Sequence, residues 1–142
     1  MKLYSTLTRD KREFEPAGDT VTMYVCGITA SNSSHVGHAL SSVVFDVLHR
    51  YLVFRGYQVR RVQNFTDVDD KIILRAKDRG EEISALTKRT IEQFHHDIES
   101  LGTLKPDIEP RATDHIEDMI VMIDLLLKQG FAYVAEQHVC LL

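Results

Sequence analysis

Two histidines three positions apart are the residues of this sequence best suited to chemistry. They stand in the run His35-Val36-Gly37-His38, where a stretch of β-forming residues gives way to a helical pattern. Imidazoles at positions i and i+3 of a helix's first turn project to nearly the same side. The free N–H groups and the dipole of that helix end favour an anion. We therefore predict a corner that binds a phosphate and stabilises charge growing on it, with Gly37 letting a flat group pack against the backbone.

The histidine pair also has a plain structural interpretation. The spacing is common, and two solvated or internally packed histidines would show the same pattern. A zinc site made by this pair alone is disfavoured, because two ligands do not complete a tetrahedron. The spacing by itself leaves a phosphate corner and a purely structural pair both open.

A cysteine precedes the histidine pair by nine residues. Cys26 stands at the end of a run of β-forming residues, Val21 to Gly27, that predicts a buried strand. A thiol at the carboxyl end of a strand is a candidate metal ligand or nucleophile, whereas a buried free cysteine acts as a small apolar residue. The sequence has no Cys-x-x-Cys pair, and none of its seven histidines has ligand spacing to Cys26.

A third polar cluster runs from Asn64 to Lys71. A helix cap, and acids placed at the positive end of a helix, explain Thr66 and the aspartates of this run. Those two roles explain Asn64 less well. Asn64 and Thr66 are therefore candidates for hydrogen bonds to a small ligand.

The elements that must position these residues form a strand–helix–strand unit. We expect Asn32, Ser33 or Ser34 to cap a helix that runs from Val36 to near Gly56, followed by a strand over Tyr57 to Phe65. Such a unit favours a parallel pair with a right-handed crossover. Its helix has an apolar face that we expect to point inward: Val36, Leu40, Val43, Val44, Val47, Leu48, Tyr51 and Leu52.

Three further helical segments follow. The first is capped by Thr66 or Asp67 and ends at Gly80, and the second extends from Ile83 to Leu101. After a proline-bearing loop over 105–111, a third is capped by Thr113 and closed by Gly130, with Ile116, Met119, Ile120, Ile123, Leu126 and Leu127 inward. Residues 1–20 read as an arm with at most a short strand. Residues 131–142 read as a strand that starts a hairpin or an insertion cut short.

Composition indicates one α/β domain. The 142 residues include 44 % hydrophobic and 27 % charged residues, and the net charge is −4, which gives no bulk attraction to nucleic acid. Two cysteines, Cys26 and Cys140, make no disulfide framework, so we expect a reducing cytoplasmic location. No apolar run approaches a membrane span, and the N-terminus lacks a secretory pattern, so no membrane partner is expected.

Taken together in order, the motifs resemble the cysteinyl-tRNA synthetase family. The resemblance covers essentially all 142 residues and rests on four runs: Met23-Tyr24-Val25-Cys26-Gly27-Ile28-Thr29, His35-Val36-Gly37-His38-Ala39, Asn64-Phe65-Thr66-Asp67-Val68-Asp69-Asp70-Lys71 and Glu109-Pro110-Arg111-Ala112-Thr113. It implies a Rossmann-like parallel sheet with flanking helices, here the first half of a class I synthetase catalytic domain. It also implies that residues 1–142 are the N-terminal portion of that domain.

The resemblance further implies cysteine activation with ATP and transfer to tRNA(Cys). His35 and His38 would be the catalytic pair, and Cys26 the first ligand of a zinc ion that selects the soft thiolate of L-cysteine over a serine hydroxyl. The implied ATP-binding set is Thr29, His35, Gly37 and His38. The implied substrate-binding set is Cys26, Gly27, Thr29, Asn64 and Thr66. Mg²⁺ would accompany ATP, and tRNA would be held by parts mostly outside these residues.

This sequence departs from the family pattern at a few positions. Ser31 and Asn32 stand where a Tyr-Asp pair is usual, and Leu40 stands where an arginine often follows the histidines. The family's other zinc ligands and its Lys-Met-Ser-Lys-Ser loop have no counterpart here, so we expect the chain alone to be inactive. Two alternatives remain open: the cysteine ligase of mycothiol synthesis, whose acceptor is glucosaminyl-inositol, and a non-catalytic nucleotide-binding module.

Overall fold

Two parallel strands joined by a long helix form the centre of the molecule. The structure is a computed structural model that describes residues 1–142. Its elements are β1 (Lys2–Ser5), β2 (Asp10–Glu13), β3 (Thr20–Thr29), α1 (Val36–Phe54), β4 (Gln58–Thr66), α2 (Asp70–Arg79), α3 (Ile83–Glu99), a 3-10 helix (Ala112–His115), α4 (Ile116–Lys128), β5 (Ala132–Ala135) and β6 (His138–Leu141). The predicted strand–helix–strand unit is confirmed.

The central sheet pairs β3 with β4 in parallel. Thr20 lies opposite Gln58 at one end and Thr29 opposite Thr66 at the other, with an irregularity between Val25 and Ile28. The far edge of β4 is not open, because residues 107–111 run parallel to it. Gln63 N donates to the Ile108 carbonyl at 3.0 Å, and the adjoining bridges join Val62 to Ile108 and Phe65 to Arg111. The segment predicted as a plain loop thus extends the sheet.

The core lies where α3 packs on the sheet and α2 packs on α3. Large apolar side chains from both sides meet there, and Phe65 contacts Phe94 edge-on at 5.7 Å between ring centroids. The main cluster is Ile28, Ala30, Phe65, Ile91 and Phe94. A smaller cluster consists of Ile72, Ala76 and Leu86. The apolar period of α3 indicated its buried side correctly at Leu86, Ile91 and Phe94, whereas Ile83 and Leu101 at the two ends of the predicted segment are exposed.

The predicted inward faces of α1 and α4 are wrong for most of their residues. Leu52 is buried, but Val36, Leu40, Val43, Val44, Val47 and Tyr51 are exposed. No residue of α4 is buried, so Ile116, Met119, Ile120 and Ile123 are exposed and Leu126 and Leu127 only half-buried. Periodicity identifies the apolar side of a helix but not what covers it. Helix α1 packs against β4, whereas α4 packs mainly against β5 and the 3-10 helix.

Three predicted caps are also corrected. Helix α1 is capped by His35 rather than Asn32, Ser33 or Ser34. Helix α2 is capped by Asp69, whose side chain accepts from Lys71 N at 2.9 Å, and not by Thr66 or Asp67. The side chain of Asp67 instead accepts hydrogen bonds from Thr113, which lies 46 positions later in the chain.

Thr113 is not the cap of α4, because it lies inside the 3-10 helix that precedes α4. Its backbone N–H donates to Asp67 Oδ1 at 3.0 Å, and its hydroxyl donates to Asp67 Oδ2 at 2.6 Å. Asp67 therefore ties this segment to the end of β4. Gly80, by contrast, ends α2 with a left-handed φ of 62°, as its position predicted.

Both termini contain complete antiparallel hairpins. The arm of residues 1–20 holds β1 and β2 where at most one short strand was expected, and Phe14 beyond β2 contacts Tyr57 edge-on at 5.8 Å. Residues 131–142 hold both β5 and β6, with Cys140 as a free thiol on β6. None of the helices combines the length and apolarity that crossing a bilayer requires.

Candidate functional site

The two histidines of the His-x-x-His run cap α1 through each other. His35 Nδ1 accepts from Gly37 N at 3.1 Å, and His38 Nδ1 accepts from His35 N at 3.3 Å. Their rings stack with centroids 3.9 Å apart and 17° between the planes. Because Nδ1 is the acceptor in each ring, the proton of each neutral imidazole resides on Nε2. Both Nε2–H groups are therefore free to donate to a ligand.

His38 is held in its neutral form. Burial lowers the pKa of His38 below its usual value, and the neighbouring His35 lowers it further. A protonated Nδ1 would also lose its bond to His35 N, since an imidazolium only donates. The first turn of α1 contains no acidic residue, so nothing opposes the positive end of the helix dipole. The corner thus combines the Nε2–H donors of the two rings with a helix end that favours anions.

Gly37 makes room for the ring of His35. A Cβ at Gly37 would lie 3.0 Å from Cε1 and 3.1 Å from Nδ1 of that ring. The absence of a side chain therefore serves the cap of α1. We predicted from the sequence that a flat ligand group packs over Gly37, but the ring of His35 lines that space.

Cys26 and His38 line one small cavity of about 60 Å³. Cys26 is an exposed free thiol, and it lies within β3 rather than at the strand end, since β3 continues to Thr29. The full lining is Cys26, Gly27, Ile28, His38, Ser41, Ser42, Gln63 and Phe94. The structure therefore brings the predicted cysteine together with the second histidine of the pair.

Gly27 and Asn64 join β3 to β4 beside this cavity. Gly27 N donates to Asn64 Oδ1 at 2.8 Å. A Cβ at Gly27 would lie 1.5 Å from the Asn64 carbonyl oxygen, so only glycine allows the strands this close. Helix capping did not explain Asn64, and this contact gives it a structural role. The contact also occupies the side-chain oxygen of Asn64.

Thr29 and Thr66 lie opposite each other where the two strands finish. They are partners in the parallel register, and Ala30 N donates to the Thr66 carbonyl at 2.9 Å. This is the edge of an open α/β sheet at which ligands bind. Both strands therefore run further than the sequence predicted, since β3 ends at Thr29 and not at Gly27, and β4 ends at Thr66 and not at Phe65.

Five lining residues were not predicted as site residues from the sequence: Ile28, Ser41, Ser42, Gln63 and Phe94. Ser41 and Ser42 stand three and four positions after His38 on α1, so helical spacing could have indicated them. Gln63 could have been noticed only as the neighbour of Asn64. Phe94 comes from α3, and no sequence signal relates it to Cys26.

The residues present do not complete a zinc site. No group of three or more His, Cys, Asp or Glu side chains is arranged to hold a metal ion. The cavity brings Cys26 together with His38 alone, whereas zinc in proteins takes three or four protein ligands. Cys26 is at most one member of a ligand set.

Comparison with known proteins identifies the class to which this fold and site belong. The family model described as "tRNA synthetases class I (C) catalytic domain" matches residues 13–141. The chain belongs to this family of class I tRNA synthetase catalytic domains.

The sequence relatives are more specific. A cysteine–tRNA ligase of Paramagnetospirillum magneticum is 56 % identical over 138 residues, which are 96 % of this chain and 30 % of that protein. One from Escherichia coli O1:K1 / APEC is 50 % identical over 138 residues, with the same coverage. The chain thus spans about a third of the length of these relatives.

Solved structures agree on the fold. Mycobacterium tuberculosis methionyl-tRNA synthetase in complex with methionyl-adenylate matches with a TM-score of 0.70 and 25 % identity, over 79 % of this chain and 23 % of that one. The LeuRS of Agrobacterium radiobacter K84, in a ternary complex with tRNA and LeuAMS, matches with a TM-score of 0.68 and 19 % identity, over 85 % of this chain and 16 % of that one. The predicted α/β fold of a class I synthetase catalytic domain, with a parallel sheet and helices, is confirmed.

Proposed function

We propose that this chain forms the amino-acid and α-phosphate corner of an enzyme that activates cysteine and passes it to tRNA(Cys). The observation that carries the proposal is the cavity shared by Cys26 and His38, at the start of the helix capped by the histidine pair. The names of the relatives support cysteine as the amino acid and tRNA as its acceptor, rather than glucosaminyl-inositol.

The first step is an in-line displacement at phosphorus. A carboxylate oxygen of cysteine attacks the α-phosphorus of ATP, the bond to the bridging oxygen breaks, and pyrophosphate leaves. Mg²⁺ would accompany ATP and offset charge on its phosphates. The Nε2–H groups of His35 and His38 then donate to phosphoryl oxygens as charge grows on them. The tRNA 3′ hydroxyl oxygen later attacks the acyl carbon of cysteinyl-adenylate, the bond from that carbon to the phosphate oxygen breaks, AMP leaves, and the hydroxyl proton passes to solvent.

The remaining site residues divide into two groups. We assign Thr29 and Gly37 to the nucleotide side with the histidine pair, and Thr29 to the amino-acid side as well. Cys26, Gly27, Asn64 and Thr66 surround the amino acid, with Gly27 and Asn64 fixing the distance between the strands. We propose Cys26 as one ligand of a zinc ion whose other ligands come from outside these residues, and we assign no step to that ion.

A binding experiment tests the proposal on this chain. The probe is the non-hydrolysable cysteinyl-sulfamoyl adenosine, titrated into ¹⁵N-labelled protein, and the expected result is saturable shifts of the amides of Cys26, Gly27 and His38. The test variant is His38→Ala, whose affinity for the same probe should be about tenfold lower than that of the wild type. Absence of binding by the wild-type chain would overturn the proposal. Tighter binding of an unrelated nucleotide would favour the non-catalytic binding module.

Turnover is a separate matter from binding. We expect cysteine-dependent pyrophosphate exchange to stay near background, because the chain spans about 30 % of its relatives' length. Robust exchange by these 142 residues would contradict that expectation.

Both thiols, Cys26 and Cys140, are free, which supports a reducing cytoplasm as the place of action.

A further inference from the structure

We propose that Gln63 positions the amino acid, its Oε1 accepting a hydrogen bond from the α-ammonium group of the ligand. The inference rests on the proposed function and adds a residue that the motifs do not include. It starts from a difference between two neighbouring carboxamides on β4, those of Gln63 and Asn64.

The carboxamide of Asn64 is already engaged, whereas that of Gln63 is free. Asn64 Oδ1 accepts from Gly27 N at 2.8 Å. The side chain of Gln63 makes no hydrogen bond within the chain, although it lines the cavity that also contains Cys26 and His38. A half-buried carboxamide without partners in a cavity wall is ready to bind a polar group.

The backbone of Gln63 is held firmly. Its N–H donates to the Ile108 carbonyl at 3.0 Å on one side of β4, and Val25 is its partner in the parallel register on the other. A side chain that starts from a strand fixed at both edges is placed more exactly than one on a loop. Gln63 also lines a second cavity together with Arg61 and Glu109, so its side chain forms a wall between two spaces.

The chemistry of the reaction decides which group of the amino acid faces Gln63. The carboxylate must point to the phosphate corner, because it is the nucleophile. The α-ammonium, on the adjacent carbon, then needs an acceptor from the rest of the cavity. No carboxylate lines this cavity, and the Nδ1 of His38 already accepts from His35 N, so its remaining neutral polar side chains are Ser41, Ser42 and Gln63. Among them the carboxamide oxygen Oε1 carries no proton of its own and only accepts, whereas each serine hydroxyl also carries a donor proton.

Two ligands and three variants test the proposal. The ligands are cysteinyl-sulfamoyl adenosine and its desamino counterpart, 3-mercaptopropionyl-sulfamoyl adenosine, which lacks only the ammonium group. The variants are Gln63→Met, which keeps the length but removes the acceptor, Gln63→Glu, which adds charge to it, and Gln58→Met as a matched control at the far end of β4. The dissociation constant of each of the two ligands is measured by NMR titration for the wild type and for each variant.

We expect Gln63→Met to weaken the amino ligand about tenfold and to change the desamino ligand less than twofold. Gln63→Glu should bind the amino ligand at least as tightly as the wild type, and Gln58→Met should change neither. Equal weakening of both ligands, or no weakening of the amino ligand, would overturn the role of Gln63 while leaving the proposed function intact. Failure of the wild-type chain to bind either ligand would instead overturn the proposed function.

Discussion

The carboxylate of Asp46 faces the guanidinium of Arg61 at 3.8 Å, with both side chains more than nine-tenths buried. Asp46 also accepts from Arg50 Nε at 2.6 Å and from Leu104 N at 2.8 Å. Arg61 in turn donates to the Leu104 carbonyl. The pair thereby ties α1, β4 and the segment that leads into residues 107–111.

Asp46→Asn should lower the free energy of unfolding by about 3 kcal/mol, because the buried charge of Arg61 would lose its strongest carboxylate partner and keep only the weaker interactions with Asp107 and Glu109. Urea denaturation followed by circular dichroism measures the loss. The matched control is Glu13→Gln, which removes an exposed ion pair with the N-terminus and should cost less than about 1 kcal/mol. A loss for Asp46→Asn as small as the control's would show that the buried pair does not hold these segments.

The contribution of Asp46 should also depend on pH. Burial raises the pKa of Asp46, but the bonds from Arg50 and Leu104, with the charges of Arg50 and Arg61, outweigh burial and lower the pKa below 3.8. A carboxyl with a lowered pKa stabilises the fold above the unfolded value and loses that contribution as pH falls through the folded value. The difference in stability between wild type and Asp46→Asn should therefore be constant above about pH 5 and shrink below 3.8. A difference that persists unchanged at pH 2 would contradict this origin.

Gly27→Ala should destabilise the protein by about 3 kcal/mol or more, since the new Cβ would meet the Asn64 carbonyl oxygen at 1.5 Å and force β3 from β4. Gly18→Ala is the control, because a Cβ there meets nothing within 4 Å. Thermal unfolding compares the two variants. Equal midpoints would mean that the strands are not so close at Gly27.

The ring of His38 should titrate below pH 6.5, since burial and then His35 lower its pKa. A histidine with a lowered pKa leaves the fold fully stabilised above the unfolded value, and this support is lost as pH falls below it. Carbon-detected NMR of the ring Cε1 measures the pKa directly. In His35→Ala the pKa of His38 should move back toward its usual value. A pKa above 6.5 in the wild type would rule out the mutual cap through unprotonated Nδ1 atoms.

Local chemistry made much of this fold predictable. The β-forming run before Gly27, the helical period after Val36 and the glycine at position 80 each specify their element from neighbouring residues alone. The two hairpin turns were less visible, because Arg9, Glu136 and Gln137 adopt positive φ where glycine, asparagine or aspartate is the usual signal.

The site was predictable for its motif residues but not for its walls. Cys26 and His38 lie on elements whose order brings them to one edge, so their meeting follows from the parallel strand–helix–strand unit. The His35 cap was missed because histidine is not a preferred capping residue. Phe94 and Gln63 reach the cavity through packing between distant segments, which no local pattern encodes.

The strip of residues 107–111 along β4 has a directional consequence. Its hydrogen bonds cover the edge of β4 from Arg61 to Phe65, whereas no strand pairs with the outer edge of β3. Any additional strand must therefore dock alongside Thr20–Thr29, flanking Cys26, and cannot enter past Arg61 and Gln63. Only the β3 edge of the central sheet can accept another strand.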